Sequence, residues 1–144
     1  MKNIVKLPFN NDQYSTGHPA LSLDDKKLYF ISDRLGSIGK TDIYVVDIHD
    51  DGTFSKPKNM GPRINTQERE MFPFVSDENI LYFSSDGHPG YGDLDVFASK
   101  IFDNTVSEPI NLEDPVNSKK DDFAYIIDDA KHKGFFSSNR KGGN

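Results

Sequence analysis

The chain has 144 residues, 35% hydrophobic and 12% aromatic, and a formal charge of −6, one domain's worth of sequence too apolar to stay disordered. A duplex binder must neutralise several phosphates with a basic face, so the acidic balance argues against nucleic acid. The absence of cysteine excludes a disulfide framework, a thiolate nucleophile and a cysteine-zinc site, and no apolar run is long enough to span a membrane.

From the N-terminus, Met1-Lys2-Asn3-Ile4-Val5-Lys6 lacks the apolar stretch of a secretory signal, and Phe9-Asn10 reads as the end of an earlier unit. Pro19 to Ser22 predicts a short first strand, and the turn Asp24-Asp25-Lys26-Lys27 leads into an aromatic strand from Leu28 to Ser32. A glycine-bearing loop from Asp33 to Thr41 precedes Ile43 to Ile48, the strongest β-branched run. After the turn His49-Asp50-Asp51-Gly52, Phe54 to Asn59 predicts a fourth strand whose Pro57 suits only an edge.

The same order then recurs about fifty residues on. Leu28-Tyr29-Phe30-Ile31-Ser32-Asp33 returns as Leu81-Tyr82-Phe83-Ser84-Ser85-Asp86 and, altered, as Gly134-Phe135-Phe136-Ser137-Ser138-Asn139. Gly39 with Asp42-Ile43-Tyr44 is answered by Gly92 with Asp95-Val96-Phe97, and Pro57-Lys58-Asn59-Met60 by Pro109-Ile110-Asn111-Leu112. The expected units are approximately residues 15–66, 67–118 and a truncated 119–144. Four antiparallel strands per repeat of this length predict an all-β chain of β-propeller blades, two complete and a third cut. Three blades cannot close a ring that usually needs about four to eight, so self-association is expected of the isolated chain.

Up-and-down connectivity sorts the loops. The acidic turns Asp24-Asp25, Asp50-Asp51, Asp77-Glu78 and Asp128-Asp129 fall at one end as hairpin tips. The loops that repeat in detail fall at the other, with the crossovers carrying Asn65, Glu70, Asn117 and Asp122. That second end is the expected working face, presenting Arg34, Glu70, His88, Tyr91, Asp122 and Arg140.

Several of these segments carry a family resemblance. Ser32-Asp33-Arg34-Leu35-Gly36 with Asp42-Ile43-Tyr44, Gly61-Pro62-Arg63-Ile64-Asn65-Thr66, Glu70-Met71-Phe72-Pro73-Phe74, Leu81 to Gly90, and Asp121-Asp122-Phe123 leading to Phe136-Ser137-Ser138-Asn139-Arg140 resemble TolB-like, WD-like propeller repeats. More narrowly they are similar to the propeller segment of OmpA-family outer-membrane lipoproteins of Bacteroidetes. The resemblance implies a periplasmic, outer-membrane-associated setting and a parent with a helical-repeat region and a peptidoglycan-binding domain. It specifies fold more than role, since propellers host unrelated functions.

Two readings stand for the repeated aspartates. Asp33 and Asp42 flank one glycine-rich loop and Asp86 and Asp95 another, an oxygen-rich arrangement able to hold Ca²⁺. Equally, an Asp after a strand caps its own loop through side chain to backbone hydrogen bonds, which Asn139 would do as well. His18 and His88 both lie in Gly-His-Pro but at different places in the repeat, and no local histidine pair suggests zinc.

Catalysis finds little footing. No Gly-x-Ser-x-Gly elbow is present, and an arginine cluster for a sialidase would consume most of Arg34, Arg63, Arg69 and Arg140. Glu68 and Glu70 supply the alternative, a glycosidase-type carboxylate pair. The expected role is therefore a non-catalytic, rigid scaffold that binds a protein or a cell-envelope glycan, with a propeller hydrolase as the competing reading.

Overall fold

A computed structural model describes residues 15–90, 92–103, 105–113, 116–120, 122–128 and 133–138, all strand, turn or loop with no helix among them. In chain order the strands are β1 (Thr16–Leu21), β2 (Lys27–Ser32), β3 (Asp42–Asp47), β4 (Lys58–Asn59), β5 (Glu70–Val75), β6 (Ile80–Ser85), β7 (Asp95–Lys100), β8 (Ile110–Asn111), β9 (Asp122–Asp128) and β10 (Lys133–Ser138). They form three antiparallel sheets, ordered β1-β2-β3-β4, β5-β6-β7-β8 and β10-β9. No helix among the described residues is long and apolar enough to cross a membrane.

Strand boundaries follow from local chemistry. The first strand begins earlier than the expected Pro19 because His18 and Pro19 together oppose one partner residue, a bulge after which Thr16 and Gly17 resume pairing with Ser32 and Ile31. β5 repeats the irregularity at Phe72-Pro73, and both bulge residues have left-handed backbones, φ 47° at His18 and 52° at Phe72, where bulky side chains are strained. The expected fourth strand shrinks to Lys58–Asn59 plus a bridge between Ile48 and Phe54. Pro57 has no N–H to give the ladder. Ahead of it, Ser55 Oγ accepts the Asp47 N–H at 2.8 Å, and Ser107 Oγ does the same for Lys100 at 2.9 Å in the second sheet.

Alternation along the strands gives each sheet two apolar faces. Tyr29, Ile31 and Ile43 of the first sheet, with Ile64 of the connection, pack against Leu81, Phe83 and Phe97 of the second. The opposite face of the first sheet carries Leu28, Phe30, Tyr44 and Val46, also buried. Face-to-face burial of this kind is the main stabilising term, about 1.5–3 kcal/mol per large side chain. The outer face of the third sheet is different: Phe135 is 72% exposed, while its repeat equivalents Tyr29 and Tyr82 are 2% and 7% exposed. Among the described residues the outer face of the first sheet is buried and that of the third is exposed.

Adjacent sheets are also latched by main chain. Glu70 donates its N–H to the Thr41 carbonyl at 3.0 Å, and Asp122 does so to Leu94 at 2.7 Å, one period later. Lys40 donates to the Glu68 carbonyl beside the first latch. The loop after a sheet's second strand therefore meets the crossover after its fourth, as the connectivity predicts.

Candidate functional site

Where those loops meet, the repeated polar residues are committed to the fold. Asp42 opens β3, and its carboxylate accepts the Ile38 and Gly39 N–H groups and the Asn59 amide. Asn65 then brackets Ile43, accepting from its N–H at 2.8 Å and donating to its carbonyl at 3.0 Å, and also donates to Asn59 Oδ1. Apart from the Ile38 bond, the second sheet repeats this network in Gly92, Asp95, Asn111, Asn117 and Val96. Buried backbone groups that lack a strand partner need such substitutes.

The two crossover acids do parallel work. Glu70 is fully buried and accepts from the Thr66 N–H, the Thr66 hydroxyl and the Ser85 hydroxyl, all at 2.6–2.7 Å. Burial pushes its pKa above the usual carboxylate range, with those three donors opposing the shift. Asp122, equally buried, accepts from the Ser118 N–H and hydroxyl.

These contacts extend to four residues of the expected working face. Arg34 is only 8% exposed, with Nε donating to Ser32 Oγ, Nη2 to Thr16 Oγ1 and its guanidinium over the rings of Phe30 and Tyr44 at 5.1 and 5.2 Å. His88 packs on the corresponding Phe83 and Phe97, and its Nε2 meets the Ile64 carbonyl at 2.6 Å. A carbonyl can only accept, so Nε2 carries the proton. Arg34, Glu70, His88 and Asp122 share one end and serve there as ties between loops, while Leu35, Gly36 and Pro89 of the same loops are exposed. Tyr91 and Arg140 lie outside the described residues.

The calcium reading meets the same chemistry. Asp33 accepts the Ser15 N–H, and Asp86 binds the Arg69 N–H and guanidinium. With the Asp42 and Asp95 carboxylates turned to amide donors, a cation would face N–H dipoles of the wrong sign. Among the described residues no group of three or more acids or histidines is placed to hold a metal.

A cavity of about 810 Å³ opens elsewhere, between the first and second sheets on the side of the acidic turns. Its floor is Tyr29, Val45 and Met60. One wall carries Lys27, Lys56 and Lys58, and the other is the β7–β8 hairpin with Ile101, Phe102 and Val106. Arg63 closes one end, donating to the Val106 carbonyl at 2.6 Å and pairing with Glu108 at 3.2 Å. Lys27 is held by Asp47 at 2.5 Å. Burial, then the charges of Asp24 and Asp47, push the Tyr29 hydroxyl pKa up to about 12, so it stays a neutral donor.

Reading loops for repeated residues missed this cleft, because its cations do not repeat. No protein-family model and no curated protein matches the chain.

Proposed function

We propose that the chain is a non-catalytic binding and spacing module. In this reading the three sheets are consecutive β-propeller blades, and the parent is an outer-membrane-associated envelope protein of the OmpA-family type. The observation that carries the non-catalytic role is the fate of the repeated polar residues. Asp42, Asn65 and Glu70, like Asp95, Asn117 and Asp122, spend their hydrogen-bonding capacity on neighbouring backbone and hydroxyl groups. The carboxylates that a glycosidase would enlist are similarly tied, Glu68 to Lys40 and Glu70 to Thr66 and Ser85.

The propeller geometry rests on four-stranded order in two successive sheets, on their face-to-face packing and on the latch at the same step of each repeat. A rigid stack of this kind suits holding a protein or envelope glycan partner at a fixed distance. The isolated chain self-associates through the third sheet, where a second copy covers Phe135 and Ile126 as the third sheet covers Tyr82. Since the first sheet's outer face is already buried, the two copies meet third sheet to third sheet and not head to tail.

Hydrolysis assays with aryl sialosides and aryl glycosides test the non-catalytic role. No turnover is expected, and turnover lost on Glu70→Gln would replace this reading with the hydrolase. Fractionation of the parent with outer membranes tests the setting.

A further inference from the structure

We infer that the cleft between the first and second sheets binds an extended acidic peptide, with Lys56 and Lys58 as the pair that reads its carboxylates. The inference rests on the reading of the chain as a binding module and names the surface and the partner chemistry.

A repeat carries its own control, since what the fold requires recurs and what it does not require is free to differ. The cleft's tyrosine floor recurs, Tyr29 being matched by Tyr82. Its cations do not. With Pro57 aligned to Pro109 and Asn65 to Asn117, Lys56 corresponds to Glu108, Lys58 to Ile110 and Arg63 to Pro115, while Lys27 corresponds to Ile80. Every cation of the cleft thus stands where the second unit has an apolar or acidic residue. In a chain of net charge −6, a local basic wall that the fold does not demand calls for an anionic partner.

The spacing points to an extended peptide. Lys56 and Lys58 are both exposed and line the same cleft on either side of Pro57. Residues two apart in an extended chain lie about 6.5–7 Å apart on one side. Acids at alternate positions of an extended peptide have the same separation and meet both lysines in register. The intervening side chains then point to the opposite wall, where Ile101, Val106 and the half-exposed Phe102 offer apolar contact. Among the described residues neither lysine has an ion pair, whereas Lys27 and Arg63 are paired to Asp47 and Glu108. The paired cations shape the cleft; Lys56 and Lys58 form no salt bridge among the described residues, Lys58 feeling Asp47 only at longer range, and remain for the ligand.

The test uses the whole chain and a fluorescein-labelled octapeptide of alternating glutamate and leucine, followed by anisotropy, with amide chemical shifts to locate binding. Binding is expected, with shifts at Val45, Lys58 and Val106 and loss on raising salt. The double substitution Lys56→Glu/Lys58→Glu should weaken it about tenfold or more, the size expected of reversing two surface ion pairs. A peptide of the same composition with its glutamates blocked at one end should bind less well, and an alternating lysine-leucine peptide should not bind. Both lysines are exposed, so the variant should keep the wild-type melting temperature; Phe102→Ser supplies a second variant on the other wall, also expected to weaken binding. No binding of the alternating acidic peptide, or binding unaffected by the lysine reversal, overturns the inference. Shifts confined to the loop end around Gly36 and His88 would overturn it while leaving the binding-module reading intact. Cleft shifts caused by dodecanoate and not by the peptide would assign the site to an anionic amphiphile and overturn it as well.

Discussion

Phe72 donates its backbone N–H to Nδ1 of His18 at 3.1 Å, and its ring lies 4.1 Å from the imidazole at 15°. Both are bulge residues of neighbouring sheets, and Phe123 continues the stack at 5.1 Å. The left-handed backbone at each bulge turns these rings toward one another, so local strain is offset by contact between sheets. Bulge, stack and hydrogen bond form one device.

That device should be sensitive to pH. Nδ1 must be unprotonated to accept the Phe72 N–H, and burial lowers the His18 pKa below its ordinary 6.5. The folded state then binds fewer protons than the unfolded state between the two pKa values. His18 should therefore cost nothing above pH 6.5 and destabilise progressively as pH falls through its lowered folded value. Urea titrations across this range should show a loss of stability that His18→Phe flattens, while the variant loses about 1 kcal/mol at neutral pH from the missing acceptor. An unchanged pH profile in the variant would assign the dependence to other groups.

Asn65 satisfies both backbone groups of buried Ile43. Its replacement by Ala should cost about 2–4 kcal/mol, since two buried groups lose their partners. Asn117→Ala should cost a similar amount at Val96. Equilibrium denaturation measures both, and a cost near zero at either site would mean that water replaces the amide.

Gly39 recurs as Gly92 because two chains come close there. A Cβ on Gly39 would lie 2.1 Å from the Thr66 carbonyl oxygen, and one on Gly92 2.4 Å from that of Lys120. Gly39→Ala should prise the loop from the crossover and cost about 2–3 kcal/mol. Gly17, with nothing within 4 Å of its added Cβ, is the control, and Gly17→Ala should change stability by no more than about 0.5 kcal/mol. Equal effects at the two sites would dismiss the contact argument.

Ser84 holds a buried hydroxyl without a hydrogen-bond partner among the described residues, at the position where the first sheet has Ile31. Removing an unsatisfied polar group relieves a desolvation cost, so Ser84→Ala should raise stability by about 1 kcal/mol. A lower urea midpoint in the variant would show that the hydroxyl is bonded in solution.

Calcium and a chelator should both leave the melting temperature unchanged, because the Asp42 carboxylate already receives three N–H donors. Ligand-linked stabilisation would appear as an increase with calcium concentration. Such an increase, abolished by Asp42→Asn, would restore the metal reading.

The sequence by itself determined the repeated strands, the turns between them and the shared end of the repeating loops. These depend on alternation, glycine and proline placement, and connectivity, which are local or periodic properties of a chain. The bulges were not legible, because His18 and Phe72 take left-handed backbones that single-residue preferences disfavour and only stacking between sheets supports. Nor could the sequence tell a presented Arg34 or Asp42 from one buried as a tie, since the same side chain serves either purpose until its neighbours are fixed. The cleft was hidden for the opposite reason. Lys56 and Lys58 are conspicuous only as departures from the repeat, and packing one sheet against the next is what brings them opposite Ile101 and Val106. Tertiary structure decided the site because burial and cavity shape are set by residues distant in sequence.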